Sequence, residues 1–404
     1  MIFVPIPTPL TAVTPTGAAV FQMFAMFKNI PLRKRFILLY TAPMGIVLVL
    51  LLSCGKNNAD PSDLNPPGDT TVVVKPVTDP NTANTIGFFL DDWQPKTFST
   101  PLATNAPAVT TSATSTITVD ASSIITKIPK TIFGHNANTW MTPMTTEPLF
   151  LNHVSQLQPH IILWPAGSGS DVYFWNQDQG VLPPDVPEKI MDKDGALRDP
   201  GYWFGKINTN WSASLDQYYS VLQQTGSRGI ITVNYGYARY GTSDDPVAAA
   251  AHLAADWVRY DNGRTLYWEI GNENYGDWEW GYRIDRSKNK DGQPEYLTGE
   301  LYAQHFKIFV DSMQKAASEI GKKIYIGATL VESPSQGWQT NTVNTWNSGM
   351  LAMLNNTHDF YVVHNYFTAY DANSNAADVT HAAHTVPATM MNFILQTLNT
   401  AGAP

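Results

Sequence analysis

The sequence predicts an α/β fold, a (β/α)8 TIM-type barrel that is C-terminally truncated after about six βα units. Three observations carry this reading. Short apolar runs recur along the chain and end in polar or glycine residues, stretches of helical periodicity separate them, and no Gly-rich phosphate loop follows any run. Continuous apolar strands between helices mark a parallel sheet covered on both faces. A doubly wound nucleotide-binding sheet would carry a Gly-rich loop after a strand, so the barrel is the better fit.

The first 53 residues read as a targeting segment. Lys28, Arg33, Lys34 and Arg35 precede an apolar run from Phe36 to Leu52, and Ser53-Cys54 closes it. A basic region, an apolar region and small residues before a Cys follow the order of a secretory signal, and the Cys sits where a bacterial lipoprotein carries its lipid. Cys54 is the expected lipidation site, which places the protein at the bacterial cell envelope, lipid-anchored or secreted. Residues 54–115 are rich in Pro, Thr and Asn and read as a tether, with a more ordered stretch from Ile86 to Phe98.

The barrel is expected over residues 116–404. Thr116–Asp120 alternates as a half-buried strand would, with Ile117 and Val119 on one face. The apolar runs follow at Thr131–Phe133, His160–Trp164, Gly229–Val233, Leu266–Ile270, Lys323–Ala328 and Phe360–Val363. Between them, Ser214–Thr225 stripes Leu215, Tyr218 and Leu222 and stops at Gly226; Pro246 opens a helix as a first-turn proline. Thr298 caps a third helix, which Gly321 closes, and Met390 to Leu398 forms a last stripe before Gly402. Ala401-Gly402-Ala403-Pro404 reads as the turn after a helix, where a seventh strand would begin. A barrel short of two strands leaves open edges, so truncation is the expectation and a complete open sheet the alternative.

Composition narrows the partners. The chain has 404 residues, 43% hydrophobic, with 12 Trp, so most of its length can bury a core. Lys plus Arg is 25 against 34 Asp plus Glu, a net charge of -9, which argues against a nucleic-acid partner. A single Cys excludes a disulfide framework and thiolate metal clusters. No metal or organic cofactor is implied.

In a barrel the chemistry sits at the C-terminal ends of strands. Those ends read His135 and Asn136, Ser168 and Asp171, Asn234 and Tyr235, Asn272 and Glu273, Glu332, and His364 and Tyr366. The set contains carboxylates and amides but no metal-ligand spacing. Trp268-Glu269-Ile270-Gly271-Asn272-Glu273 is the most informative stretch. Glu273 directly follows an apolar strand and so points into the mouth, where a carboxyl among aromatics suits a general acid. Asn272 can bond a sugar hydroxyl, and Trp278 can stack on a sugar ring.

Asn272-Glu273 at the end of a fourth strand resembles the acid/base signature of retaining glycoside hydrolases built on (β/α)8 barrels. The flanking segments are most similar to the α-L-arabinofuranosidase group: Phe133-Gly134-His135-Asn136, Trp164-Pro165-Ala166-Gly167-Ser168 with Asp171, Tyr173 and Trp175, Val233-Asn234-Tyr235-Gly236, and His364-Asn365-Tyr366. The resemblance covers about residues 116–404. It implies retaining hydrolysis of O-glycosidic bonds, with Glu273 as acid/base and His135, Asn136, Ser168, Asp171, Asn234, Tyr235, Asn272, Trp278, His364 and Tyr366 around the carbohydrate. It departs in two places: Leu163 stands near a usual Arg, and Ala166 replaces a Gly. The nucleophile of that group is a Glu after the seventh strand, beyond Pro404, so the 404-residue chain is expected to turn over nothing by itself. The alternative is a surface glycan-binding lipoprotein that captures sugars without cleaving them.

Overall fold

The computed structural model describes residues 2–4, 87–94, 114–120, 126–165, 167–368 and 373–403. The targeting segment beyond residue 4, Cys54, Ala166 and most of the tether lie outside the described residues. The chain divides into two compact units, the first comprising residues 1–28, 82–93 and 123–404. Of the second, Thr116–Asp120 is not the expected strand. Among the described residues it pairs with no strand, and Ile117 and Val119 are 87% and 82% exposed.

The strands are β1 (Ile2–Val4), β2 (Gly134–Asn136), β3 (Ile161–Trp164), β4 (Tyr173–Asp178), β5 (Ile190–Met191), β6 (Leu197–Arg198), β7 (Trp203–Lys206), β8 (Arg228–Val233), β9 (Thr265–Ile270), β10 (Tyr325–Thr329) and β11 (Phe360–Val363). The helices are α1 (Pro148–Leu157), α2 (Leu215–Thr225), α3 (Gly236–Tyr240), α4 (Pro246–Asp261), α5 (Gly299–Glu319), α6 (Asn341–Leu354) and α7 (Ala376–Ala401). The principal sheet runs β1-β11-β10-β9-β8-β3-β2; all its pairs are parallel except β1 with β11. The strand order of the six parallel members follows the chain without reversal. Successive right-handed crossovers in one direction put every helix on the same face, and the sheet curls away from them into a half-barrel.

The strand residues divide accordingly. Ile162, Trp164, Ile231, Val233, Trp268, Ile270, Ile326, Ala328, Tyr361 and Val363 face the helices in the larger core. Ile161, Leu163, Ile230, Tyr267, Tyr325, Phe360 and Val362 face the concave side. There the turn at Gly87–Leu90 inserts two rings: Phe88 stacks on Tyr325, and Phe89 lies against Tyr267 and Phe360. Burial on both faces is why these strands read as unbroken apolar runs.

Capping sets the helix ends. Ser214 and Gln217 form a capping box on α2, which Gly226 closes at φ 67. Asp245 caps α4 ahead of Pro246, and Thr298 accepts from Leu301 N–H to start α5. The first barrel strand departs from expectation: Lys130–Ile132 is a 3-10 turn, and the strand lies at Gly134–Asn136. The cause is contact with β3, where Gly134 sits opposite Ile161 with no room for a side chain. Among the described residues no helix is long and apolar enough to cross a membrane.

Candidate functional site

The site forms where β9 ends. Gly271 takes φ +75, and a Cβ there would collide with Asn274 and Tyr235. Glu273 itself has φ 44, a left-handed conformation that costs a non-glycine residue about 1–2 kcal/mol. Gly276 N–H donates to the Glu273 carbonyl at 2.7 Å and closes the turn. Strain of this kind persists only where the surroundings enforce it, and it concentrates at functional sites.

The turn aims the Glu273 carboxylate, 15% exposed, across the strand ends. Its Oε1 lies 2.7 Å from His364 Nδ1, and its Oε2 accepts from Trp278 Nε1 at 3.1 Å. His364 follows β11, two strands from β9, so the fold brings together groups 91 residues apart. Burial alone disfavours a charged imidazole. The hydrogen bond that protonated Nδ1 donates to Glu273 and the negative charges of Glu269 and Glu273 outweigh it and hold His364 above its ordinary range.

Four more carboxyl groups surround this pair. Glu332, beyond β10, accepts from Asn365 at 3.3 Å; burial pushes it up, and the charge of Glu273 adds to the push. Glu269 is 1% exposed on the concave side of β9 and accepts from Thr232 at 2.7 Å. Its other oxygen, Oε1, has no hydrogen-bond partner, and neither does His364 Nε2. Burial also raises Glu269. Glu279, 4% exposed, accepts from Ser168 Oγ at 2.7 Å and from Asn272 Nδ2 at 2.9 Å. Burial and then the charge of Asp171 hold it well above the usual carboxylate range. Asp171 is fully buried, which pushes it up to about 7 although Gly236 N–H and Asn274 Nδ2 both donate to it.

The expected residues therefore fall into three groups. Glu273, Trp278 and His364 meet directly, and Asn272 and Ser168 converge on Glu279 beneath them. Asp171, Asn234 and Tyr235, expected around the carbohydrate, lie in the interior and are bonded within the protein. Asn234 bonds Tyr173 and Tyr240, Tyr235 bonds His305, and Asp171 holds Gly236 and Asn274. Their polar atoms are taken up by β4, α3, α5 and the loop after β9, which they tie together. His135 and Asn136 lie exposed on the edge strand β2, and Tyr366 is 64% exposed beyond His364. Glu279 was not foreseen; its signal was an acidic residue between Trp278 and Trp280 in a loop beginning with two Asn. Among the described residues no cluster of His, Cys, Asp and Glu could hold a metal ion.

Comparison with protein families finds no match, and comparison with curated proteins finds no related sequence. Among solved structures the chain is similar to a family 51 α-L-arabinofuranosidase from Bifidobacterium longum. The TM-score is 0.45 at 19% identity, over 71% of this chain and 55% of that one. A GH51 arabinofuranosidase from Xanthomonas axonopodis pv. citri gives 0.42 at 17%, over 67% and 54%. A family 18 N-acetylglucosaminidase from Paenibacillus barengoltzii gives 0.32 at 10%, over 67% and 66%. The chain spans about half the length of the two arabinofuranosidases.

Proposed function

We propose that this chain supplies the acid/base side of a glycoside-hydrolysing site, arabinofuranosidase-like and retaining, with Glu273 as the proton-transferring group. The observation that carries it is the strained Glu273 turn, which presents one carboxylate between an imidazole and an exposed indole at the mouth of the half-barrel. On this reading Glu273 protonates the glycosidic oxygen as the bond breaks, then takes a proton from the water that attacks next. His364 holds the Glu273 carboxylate in position through its hydrogen bond, and Asn272, oriented by Glu279, bonds a sugar hydroxyl. The nucleophilic carboxylate is the one that the family resemblance places after a seventh strand, outside these 404 residues.

The test is Glu273→Gln, made in the protein at its natural length and assayed on aryl α-L-arabinofuranosides. Removing an acid/base group costs about 10²–10⁴-fold in turnover. Azide should restore release of a good leaving group, because it needs no proton removed. Undiminished turnover by the variant defeats the proposal.

A second reading, glycan capture without cleavage, is favoured by one feature: both Glu273 oxygens already have partners. It expects no turnover by the wild type and equal oligosaccharide binding by Glu273→Gln. For either reading we propose attachment to the cell envelope through Cys54, checked by fatty-acid labelling that Cys54→Ser abolishes.

A further inference from the structure

All 12 tryptophans of the chain fall among the described residues, and four are largely exposed: Trp140 at 47%, Trp211 at 51%, Trp278 at 48% and Trp338 at 78%. Exposed tryptophan is costly to leave in water, so its distribution is informative. Trp140 lies between β2 and α1, Trp211 between β3 and α2, Trp278 between β9 and α5, and Trp338 between β10 and α6. Each therefore follows the C-terminal end of a strand, the end that carries Glu273. The returning turns at the opposite end, from α1, α2, α4, α5 and α6 to the next strand, contain no tryptophan, and Trp93 beside the Gly87–Leu90 turn is partly buried with Lys127 Nζ 4.9 Å from its ring centre.

Two of the four belong to a built cluster. Trp203, half-buried on β7, stands 5.7 Å from Trp140 and 5.8 Å from Trp211, ring centre to ring centre. The flanking backbone is locked: Ala213 N–H donates to the Thr139 carbonyl at 2.9 Å, and Thr209 bonds Ser212. The indoles are thus held before any ligand arrives, which lowers the ordering cost of binding. In the sheet β2 lies three strands from β9, about 14 Å at ~4.8 Å per strand. Trp338 lies on the other side, beyond β10. A single sugar at Glu273 cannot reach both flanks.

We propose that this end of the half-barrel binds an extended, neutral oligosaccharide, with Trp140, Trp203 and Trp211 forming a remote subsite that stacks on sugar rings distant from Glu273. Indole faces attract the C–H faces of sugars without requiring charge. The chain carries a net charge of -9, which disfavours an anionic glycan. The proposal deepens the hydrolase reading by naming its substrate as a chain, and it rests on that reading only for which sugar sits at Glu273.

The experiment measures indole fluorescence and calorimetric binding of mono-, tri- and hexasaccharides of arabinan and xylan to the full-length protein and to Trp140→Ala/Trp211→Ala. Both rings are half in water, so the variant keeps the core, and its melting temperature checks this. Wild type should bind a hexasaccharide at least tenfold more tightly than a monosaccharide, and the double variant should lose that gain. Aryl-glycoside turnover should stay the same in both. Equal affinity for all chain lengths, or a variant that binds the hexasaccharide as wild type does, overturns the proposal; so does preference for a polygalacturonate oligosaccharide. Lack of aryl-glycoside turnover alongside length-dependent, tryptophan-dependent binding would defeat the hydrolase reading and leave this one standing.

Discussion

The two ends of the half-barrel are made from the same strands, yet one is an aromatic floor and the other a cluster of acids. On the concave side of β9, Tyr267 gives way to Glu269 two residues on; on β8, Ile230 gives way to Thr232; on β11, Val362 gives way to His364. The side chains alternate, so a single rung separates apolar from polar side chains in these three strands. Below it Phe88 and Phe89 complete the packing, and above it unpartnered polar atoms remain, among them Glu269 Oε1 and His364 Nε2. Buried polar atoms without partners cost stability. The fold therefore places its stabilising burial at one end and concentrates the costly groups at the other.

The sharpest way to separate the two ends is to damage the floor. Phe360 is fully buried against Phe89, Tyr267 and the side-chain-free Gly327. Phe360→Ala should cost about 3–5 kcal/mol of stability, read by urea unfolding. If the ends are independent, His364 titrates in the folded variant as it does in wild type. A shifted titration would show that the floor positions the mouth.

The mouth should behave oppositely, with a smaller effect on stability and a large one on charge. His364 is held above its ordinary value by Glu273 and, less directly, by Glu269. A group whose folded pKa is raised contributes stability that is fully present below its unfolded pKa of about 6.5. That contribution fades as pH rises through the higher folded value. His364→Gln should therefore cost more stability at pH 5.5 than at pH 9. In NMR titrations Glu273→Gln should lower the His364 midpoint most and Glu269→Gln less. A midpoint that neither variant moves would remove both carboxylates from the account.

How much of this was legible follows from the same contrast. The six strands showed because burial on both faces leaves runs such as Gly229–Val233 without polar interruption, and Glu273 and His364 showed because each ends such a run. The first strand was misplaced because its position depends on a contact with Ile161 that no local pattern records. Thr116–Asp120 alternates like a strand but pairs with no strand among the described residues. α6 was missed because Asn, Thr and Ser dilute its apolar stripe, which buries Val343, Trp346 and Met350. The excursion carrying β4–β7 was missed because its short strands pair only with one another. Glu279 looked like a loop carboxylate; only the folded chain shows it under Asn272.

The smallest effect is also the cleanest comparison of the two ends, because it changes only backbone strain. Gln158 closes α1 at φ 50 in a turn at the floor end, and Glu273 opens the site at φ 44. Both are non-glycine residues in the left-handed region, where glycine sits without penalty. Gln158 caps a helix there, so Gln158→Gly should gain roughly 0.5–1 kcal/mol of stability and leave turnover alone. Glu273→Gly relieves the same kind of strain but removes the carboxylate, so any gain in stability should come with loss of turnover. The strain at Gln158 serves only chain reversal, and that at Glu273 aims a side chain. Equal gains at both sites, with activity lost only at Glu273, would establish that difference; a destabilised Glu273→Gly would show that the His364 and Trp278 bonds more than offset the strain they impose.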